Sequence, residues 1–344
     1  MENLTNPVLV EVRRGSRVES RHRGCAVAVN AGGDVVFAAG EPSQAVYPRS
    51  ALKWFQAIPL VESGAADEFA LSDEEIALAC ASHNAEEFHT RAVTEWLRRL
   101  GFGADDLECG AEWPMRTLDA HALAARGESP TRAHHNCSGK HAGMLTLSRF
   151  LGAKLPGYCD YAHPTQQLWM RALSELAGVD VFSLDWERDG CGLPAVCMPL
   201  ARLARAFAAY AEPQKSAAKS SAKNAGSRGE AMARIQAAVR AHPEMLAGSG
   251  RSCTDVPRVC GGQILLKAGA EGVCAGVIPH LQIGFALKID DGADRARGVA
   301  LGALLKKLGA LESGWAEQLE THFCPAVVNS QGRVTGRVLP AENW

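Results

Sequence analysis

Apolar positions along the chain fall into two regimes. Over Val8 to Val12, Gly24 to Asn30 and Asp34 to Ala39, β-branched and small residues alternate or cluster, with Asn30-Ala-Gly-Gly-Asp34 as a turn between the last two. That pattern predicts an antiparallel hairpin or meander. Strand-like runs return at Gly262 to Lys267, Val273 to Pro279 and Gln282 to Ile289, again separated by Gly-containing turns. Between these groups, apolar residues recur every three or four positions over Ser50 to Glu62, Ser72 to Ala81, Ala85 to Leu100, Lys140 to Leu151, Pro164 to Ala177 and Pro199 to Tyr210, which predicts helices. Ser72-Asp-Glu-Glu75 reads as a capping box, and Asp290-Asp-Gly-Ala-Asp294 places acidic residues before a closing helix that runs to about Leu308. The expected fold is α+β, of the α/β sandwich type: one antiparallel sheet from N- and C-terminal strands, flanked by helices, with an inserted, mostly helical subdomain. Residues 1–48 and 256–344 form the sheet subdomain on this reading, and residues 49–255 the helical one.

Glu212 to Gly229 interrupts the pattern. It is rich in Ser, Ala and Lys and nearly free of bulky apolar residues, so it reads as a mobile loop, or alternatively as a frayed helix end. Elsewhere the 47% hydrophobic content of the 344 residues suffices for a substantial core. A net charge of −2 without a long Lys/Arg block indicates neither a nucleic-acid surface nor a polybasic membrane patch, and favours a small neutral or zwitterionic partner. No apolar run reaches the roughly 18 residues of a membrane span, and the N-terminus lacks a signal-peptide pattern, so a cytoplasmic protein is expected. Eleven scattered cysteines fit reduced thiols better than a disulfide framework. Cys25, Cys80, Cys109, Cys159, Cys197, Cys260, Cys274 and Cys324 read as small buried apolar side chains.

Two constellations carry candidate chemistry. In Tyr47-Pro-Arg-Ser50-Ala-Leu-Lys53, Ser50 opens a helix and Lys53 follows one turn later, within reach of the hydroxyl. A neutral lysine could act as base, and the helix N-terminus supplies N–H groups for an oxyanion. Taken alone, Ser-x-x-Lys also describes an N-cap serine followed by a solvated lysine. Ser82-His83-Asn84 at a helix end and Lys267-Ala-Gly269 at a strand end extend it, because the order Ser-x-x-Lys, Ser-x-Asn, Lys-x-Gly is that of the serine β-lactamase architecture. The second constellation joins His135-Asn-Cys137-Ser-Gly-Lys140-His141 to Asp189-Gly-Cys191-Gly. Two thiolates, a nitrogen donor and water would make a zinc site, with His141 the conventional donor and Lys140 eligible only when neutral; buried thiols or a nucleophilic cysteine are the alternatives.

With Gly250-Arg251-x-Cys253-Thr254-Asp255 and Lys267-x-Gly269-Ala-Glu271-Gly272, these motifs make nearly the whole chain resemble the rhizobial-type (class 3) L-asparaginases. The resemblance implies a β-lactamase/glutaminase-like fold, a homodimer, L-asparagine as substrate, and two Ser-Lys tandems, Ser50 with Lys53 and Ser82 with Lys267. It also implies Zn2+ bound by Cys137, Lys140 and Cys191, with Arg49, His141 and Asp189 in the surrounding shell and Cys253 and Glu271 in the pocket. The expected reaction is attack by Ser50 on the side-chain amide after Lys53 takes its proton, then hydrolysis of the acyl-enzyme. The rival readings are a β-lactamase or peptidase, a zinc amidohydrolase using metal-bound hydroxide, and a non-catalytic zinc- or thiol-binding protein.

Overall fold

The alternating segments pair as strands in the computed structural model of the protein, which describes residues 6–215, 227–342 and 344. Strands β1 (Val8–Arg14), β2 (Arg17–Asn30) and β3 (Val35–Ala39) form the early group, and β4 (Leu265–Ala268), β5 (Val273–Ile278) and β6 (Ile283–Ile289) the late one. The two groups meet where β2 pairs antiparallel with β6, Ala28 opposite Phe285, so they share one sheet as the sequence predicts. Strands β7 (Ala326–Val328) and β8 (Val334–Pro340) extend it, giving the order β7-β8-β1-β2-β6-β5-β4 with β3 against β2. The long β2 serves two neighbours in succession, β1 along Arg17–Arg23 and β6 along Gly24–Asn30.

The longer helices are α1 (Lys53–Glu62), α2 (Asp73–Ala79), α3 (Glu87–Arg99), α4 (Thr117–Ala125), α5 (Ser138–Phe150), α6 (Pro164–Ala177), α7 (Leu200–Ala208), α8 (Arg228–Ala241), α9 (Ser252–Val259) and α10 (Asp294–Lys307). Every residue of β5 is buried. Since successive side chains point to opposite faces, the sheet is covered on both sides there. Helix α7 lies so close to β6 that a Cβ on Gly284 would stand 2.2 Å from the Ala204 carbonyl oxygen, which is why glycine occupies the second position of that strand. All ten residues of α1 are buried, as befits a helix that α5, α6 and α8 surround. The predicted capping box forms, with Ser72 accepting from the Glu75 N–H and Glu75 accepting from the Ser72 N–H.

Several expectations need adjustment. The helix expected from Ser50 begins as a tight 3-10 turn, Arg49–Leu52, before α1. Most of the Ser/Lys-rich stretch, residues 216–226, lies outside the described residues, but its ends are ordered: Pro213–Lys215 makes a 3-10 turn, and Ser227 caps α8. The boundary expected between residues 255 and 256 falls inside α9. All cysteines are free, and of the eight read as buried, Cys197 and Cys324 are only half-buried. Among the described residues, no helix is long and apolar enough to cross a membrane.

Candidate active site

Ser50 stands on the 3-10 turn directly after Arg49, whose φ of 52° is unusual for a side-chain-bearing residue. Such a backbone costs of order 1 kcal/mol and persists only where its surroundings enforce it. Here the Arg49 guanidinium is held 2.5 Å from Asp189 Oδ1, which also accepts the Gly190 N–H at 2.6 Å. From the other side, the end of β4 presses on the turn: a Cβ on Gly269 would lie 2.3 Å from the Pro48 carbonyl oxygen. Side chains three apart in a 3-10 turn eclipse one another, so Ser50 and Lys53 rise from one face.

Ser82 follows α2 on a strip fastened from two sides, its N–H to Leu246 O at 3.0 Å, the His83 N–H to Asn136 O at 3.1 Å, and the Asn84 N–H to Ala247 O at 2.9 Å. The Lys53 amine donates to Ser82 Oγ at 2.8 Å and to the Ala81 carbonyl. The Lys267 amine donates to the same Oγ at 2.8 Å and to Ala268 O at 2.8 Å. Ser82 therefore joins both lysines. The pairing of Ser82 with Lys267 is present, whereas no hydrogen bond links Ser50 Oγ to Lys53 Nζ among the described residues: the buried amine finds its acceptors one segment further on. Burial pushes the Lys53 amine down from its ordinary range, with Lys140 assisting and the Cys137 sulfur opposing. Burial likewise lowers Lys267 to about 7; repulsion from Lys53 and Arg251 adds to the shift, while Cys253 opposes it. A lysine whose pKa is lowered toward neutrality has a substantial unprotonated fraction, and in that form it is a competent base.

Cys137 caps α5, Lys140 lies on its first turn, and Cys191 sits in a turn closed by the Gly192 N–H to Asp189 O at 2.8 Å. The three side chains converge, all 4% exposed or less, with Lys140 Nζ 2.9 Å from Cys191 Sγ. A hydrogen bond from Cys191 draws the Cys137 thiol well below its usual range and leaves the Cys191 thiol raised. Burial works against the Lys140 charge, but the two sulfurs and Asp189 outweigh it and push that amine up. His141 turns away: its Nδ1 meets the Tyr158 hydroxyl at 2.8 Å, and its buried Nε2 has no partner among the described residues. No three His, Cys, Asp or Glu side chains gather into a metal-binding group among the described residues, so a metal here depends on Lys140 as donor. Chemically the set fits zinc, because a divalent ion would replace the protons that the two thiols and the amine now share.

One cavity of about 400 Å³ is lined by Ser50, Ser82, Cys137, Cys191, Arg49 and Asp189, and it also includes Glu271. Cys253 lies behind it, its sulfur accepting the Ala268 N–H at 3.1 Å. Glu112, Met115, Arg251 and Arg297 line it too; of these the sequence motifs contain only Arg251, without a role. A larger depression of about 770 Å³, lined from α3 and α4, contains none of the serine, lysine or cysteine groups described above. The cavity of about 400 Å³, with two serines on its wall and two buried amines on one of them, brings together a hydroxyl and candidate bases, the combination that nucleophilic catalysis requires.

Comparison with solved structures finds Mglu in its native form at 17% identity and a TM-score of 0.44, covering 85% of this chain and 66% of that one. Mglu in its tris and glutamate form is similar at 15% identity and a TM-score of 0.46, with 90% and 64% covered. A β-lactamase described as putative, from Bacteroides dorei DSM 17855, is similar at 12% identity and a TM-score of 0.40, with 77% and 84% covered. The chain thus spans about two thirds of the length of Mglu. Comparison with curated proteins gives no match. The profile of the family described as L-asparaginase II matches residues 10–340, nearly the entire chain. The chain belongs to the L-asparaginase II family.

Proposed function

We propose that the protein is an L-asparaginase that hydrolyses L-asparagine to L-aspartate and ammonia through an acyl-enzyme on Ser50, acting as a cytoplasmic homodimer. The observation that carries this reading is that two buried lysines donate to one serine hydroxyl, Ser82 Oγ, at 2.8 Å each beside the cavity that Ser50 lines. Family membership supplies the amide chemistry.

Ser50 Oγ attacks the side-chain amide carbon, and its proton passes to the Lys53–Ser82–Lys267 network. The N–H groups of Ser50 and Ala270, both on cavity-lining residues and both without an acceptor among the described residues, are the donors for the developing oxyanion. The network then returns a proton to the departing nitrogen, the C–N bond breaks, and ammonia leaves. Water hydrolyses the resulting Ser50 ester with the same groups as base. Cys137, Lys140 and Cys191 would hold zinc beside this site, where the ion supplies a fixed positive charge for binding substrate and tying together the loops that carry its ligands.

Ser50→Ala tests the assignment. Ammonia release from L-asparagine should fall to background while the circular dichroism spectrum and melting temperature stay at wild-type values. Undiminished release would move the nucleophile elsewhere.

A further inference from the structure

Three arginines line the cavity, and two are neutralised inside the protein. Arg49 is paired with Asp189 at 2.5 Å, and Arg297 with Asp294 at 2.6 Å. Arg251 makes no ion pair among the described residues; its polar contacts are to neutral groups, Nη1 to Asn84 Oδ1 at 2.9 Å and to Met115 Sδ at 3.5 Å. A guanidinium has five donors in a rigid fork, so most of this one remains unused at the wall of the site.

Its position is nonetheless fixed. The Asn84 side-chain amide donates from Nδ2 to Ser249 O at 3.0 Å, which turns Oδ1 toward Arg251. A Cβ on the adjoining Gly248 would fall 2.9 Å from that same Nδ2, so the amide is walled in. Asn84 lies two residues after Ser82 on the strip whose backbone hydrogen bonds alternate between the 246–247 segment and Asn136. In an extended strip, side chains two apart share a face. One short segment therefore carries, on the same side, the hydroxyl that joins the two lysines and the amide that aims a free cation.

We infer that Arg251 is a specificity-determining residue that binds the free α-carboxylate of the substrate, restricting the site to amides of free amino acids. The inference rests on the asparaginase reading above. An uncompensated guanidinium recognises a carboxylate by paired, charge-assisted hydrogen bonds, and L-asparagine carries a carboxylate on the carbon next to the methylene that bears its amide. An asparagine within a peptide has no such group and would leave the cation unmatched.

The test compares L-asparagine with β-alaninamide, which is asparagine without its α-carboxylate, in ammonia release by the wild type, Arg251→Gln and Arg251→Lys. In Arg251→Gln the ratio of kcat/KM for asparagine over β-alaninamide should fall roughly 10- to 100-fold, the worth of a hydrogen-bonded charge pair. The loss should appear in KM, and Arg251→Lys should restore part of it. Product inhibition by L-aspartate should weaken by the same factor, which provides the readout should β-alaninamide turn over too slowly. An unchanged ratio or an unchanged inhibition constant, including a parallel loss on both substrates, overturns the inference. Absence of ammonia release from L-asparagine by the wild type would instead sink the asparaginase reading, and this inference with it, before any substitution is made.

Discussion

Replacing Lys267 by methionine should remove activity and yet stabilise the protein in acid. Burial lowers this amine from 10.5 to about 7, and one pKa unit corresponds to about 1.4 kcal/mol. Between pH 7 and 10.5 the unfolded chain holds a proton on Lys267 that the folded chain lacks. Wild-type stability therefore rises with pH across that window, and the full penalty of about 5 kcal/mol is present below pH 7. Methionine carries no such penalty, but it leaves the Ser82 hydroxyl and the Ala268 carbonyl without the bonds the amine gave them, a loss of about 3 kcal/mol in total. The variant should thus be more stable than the wild type by about 2 kcal/mol at pH 6 and less stable by about 1 kcal/mol at pH 9. Urea denaturation followed by tryptophan fluorescence at three pH values measures the difference. Ammonia release should fall by at least 100-fold throughout. A stability difference that stays constant from pH 6 to 9 would refute the reasoning, for it would mean that Lys267 titrates alike in the folded and unfolded chains.

Gly269→Ala should displace the Ser50 turn, since its Cβ would stand 2.3 Å from the Pro48 carbonyl oxygen. We expect a drop of about 100-fold in kcat, read by ammonia release, with a destabilisation of about 1–3 kcal/mol in urea. Cobalt(II) added to the reduced protein should produce thiolate-to-metal absorption in the near ultraviolet with a stoichiometry of about one per chain. Cys191→Ser should weaken that band, and an unaltered spectrum would place the metal elsewhere.

Much of the fold was legible because burial and polarity alternate in step with the elements. Strands β4 to β6 are almost wholly buried, and their apolar runs stand out. Strands β7 and β8 are largely exposed, which removes the contrast that alternation needs. Helix α8 buries Ala231, Met232, Ile235, Ala238 and Val239, but small residues give a weak periodic signal beside a Ser/Lys-rich stretch. Helix α4 buries only Leu123, and nothing in its pattern announces it. In the site, motif order singled out Ser50, Ser82 and Lys267, and a separate cluster of ligand-type residues singled out Cys137 and Cys191; the cavity gathers four of these five on its wall. Which hydroxyl the Lys53 amine meets was hidden, because it depends on the Ala81 carbonyl and Ser82 arriving from another segment. Glu112, Met115 and Arg297 reach the cavity from segments without motif context, so spacing alone has no means of finding them.

The double engagement of Ser82 limits what each member of the network is able to do. Both amines donate to one oxygen at 2.8 Å, so they lie within about 6 Å of each other, and two charges at that distance repel by about 3 kcal/mol at an effective dielectric constant of about 20. Desolvation adds to this, and the pair therefore avoids carrying two protons at once. A serine oxygen has two acceptor positions and one hydrogen. With both acceptor positions filled by lysine N–H groups, the Ser82 hydroxyl hydrogen is free to be donated outward, and the cavity that Ser82 lines is the space available to it. A hydroxyl so arranged is a proton donor, which suits delivery to a departing nitrogen better than attack on a carbonyl. In the proposed mechanism Ser50, with no lysine hydrogen-bonded to its oxygen among the described residues and set on a turn that opens into the same space, keeps its lone pairs for the carbon. The division of labour between the two serines follows from which of them the amines occupy.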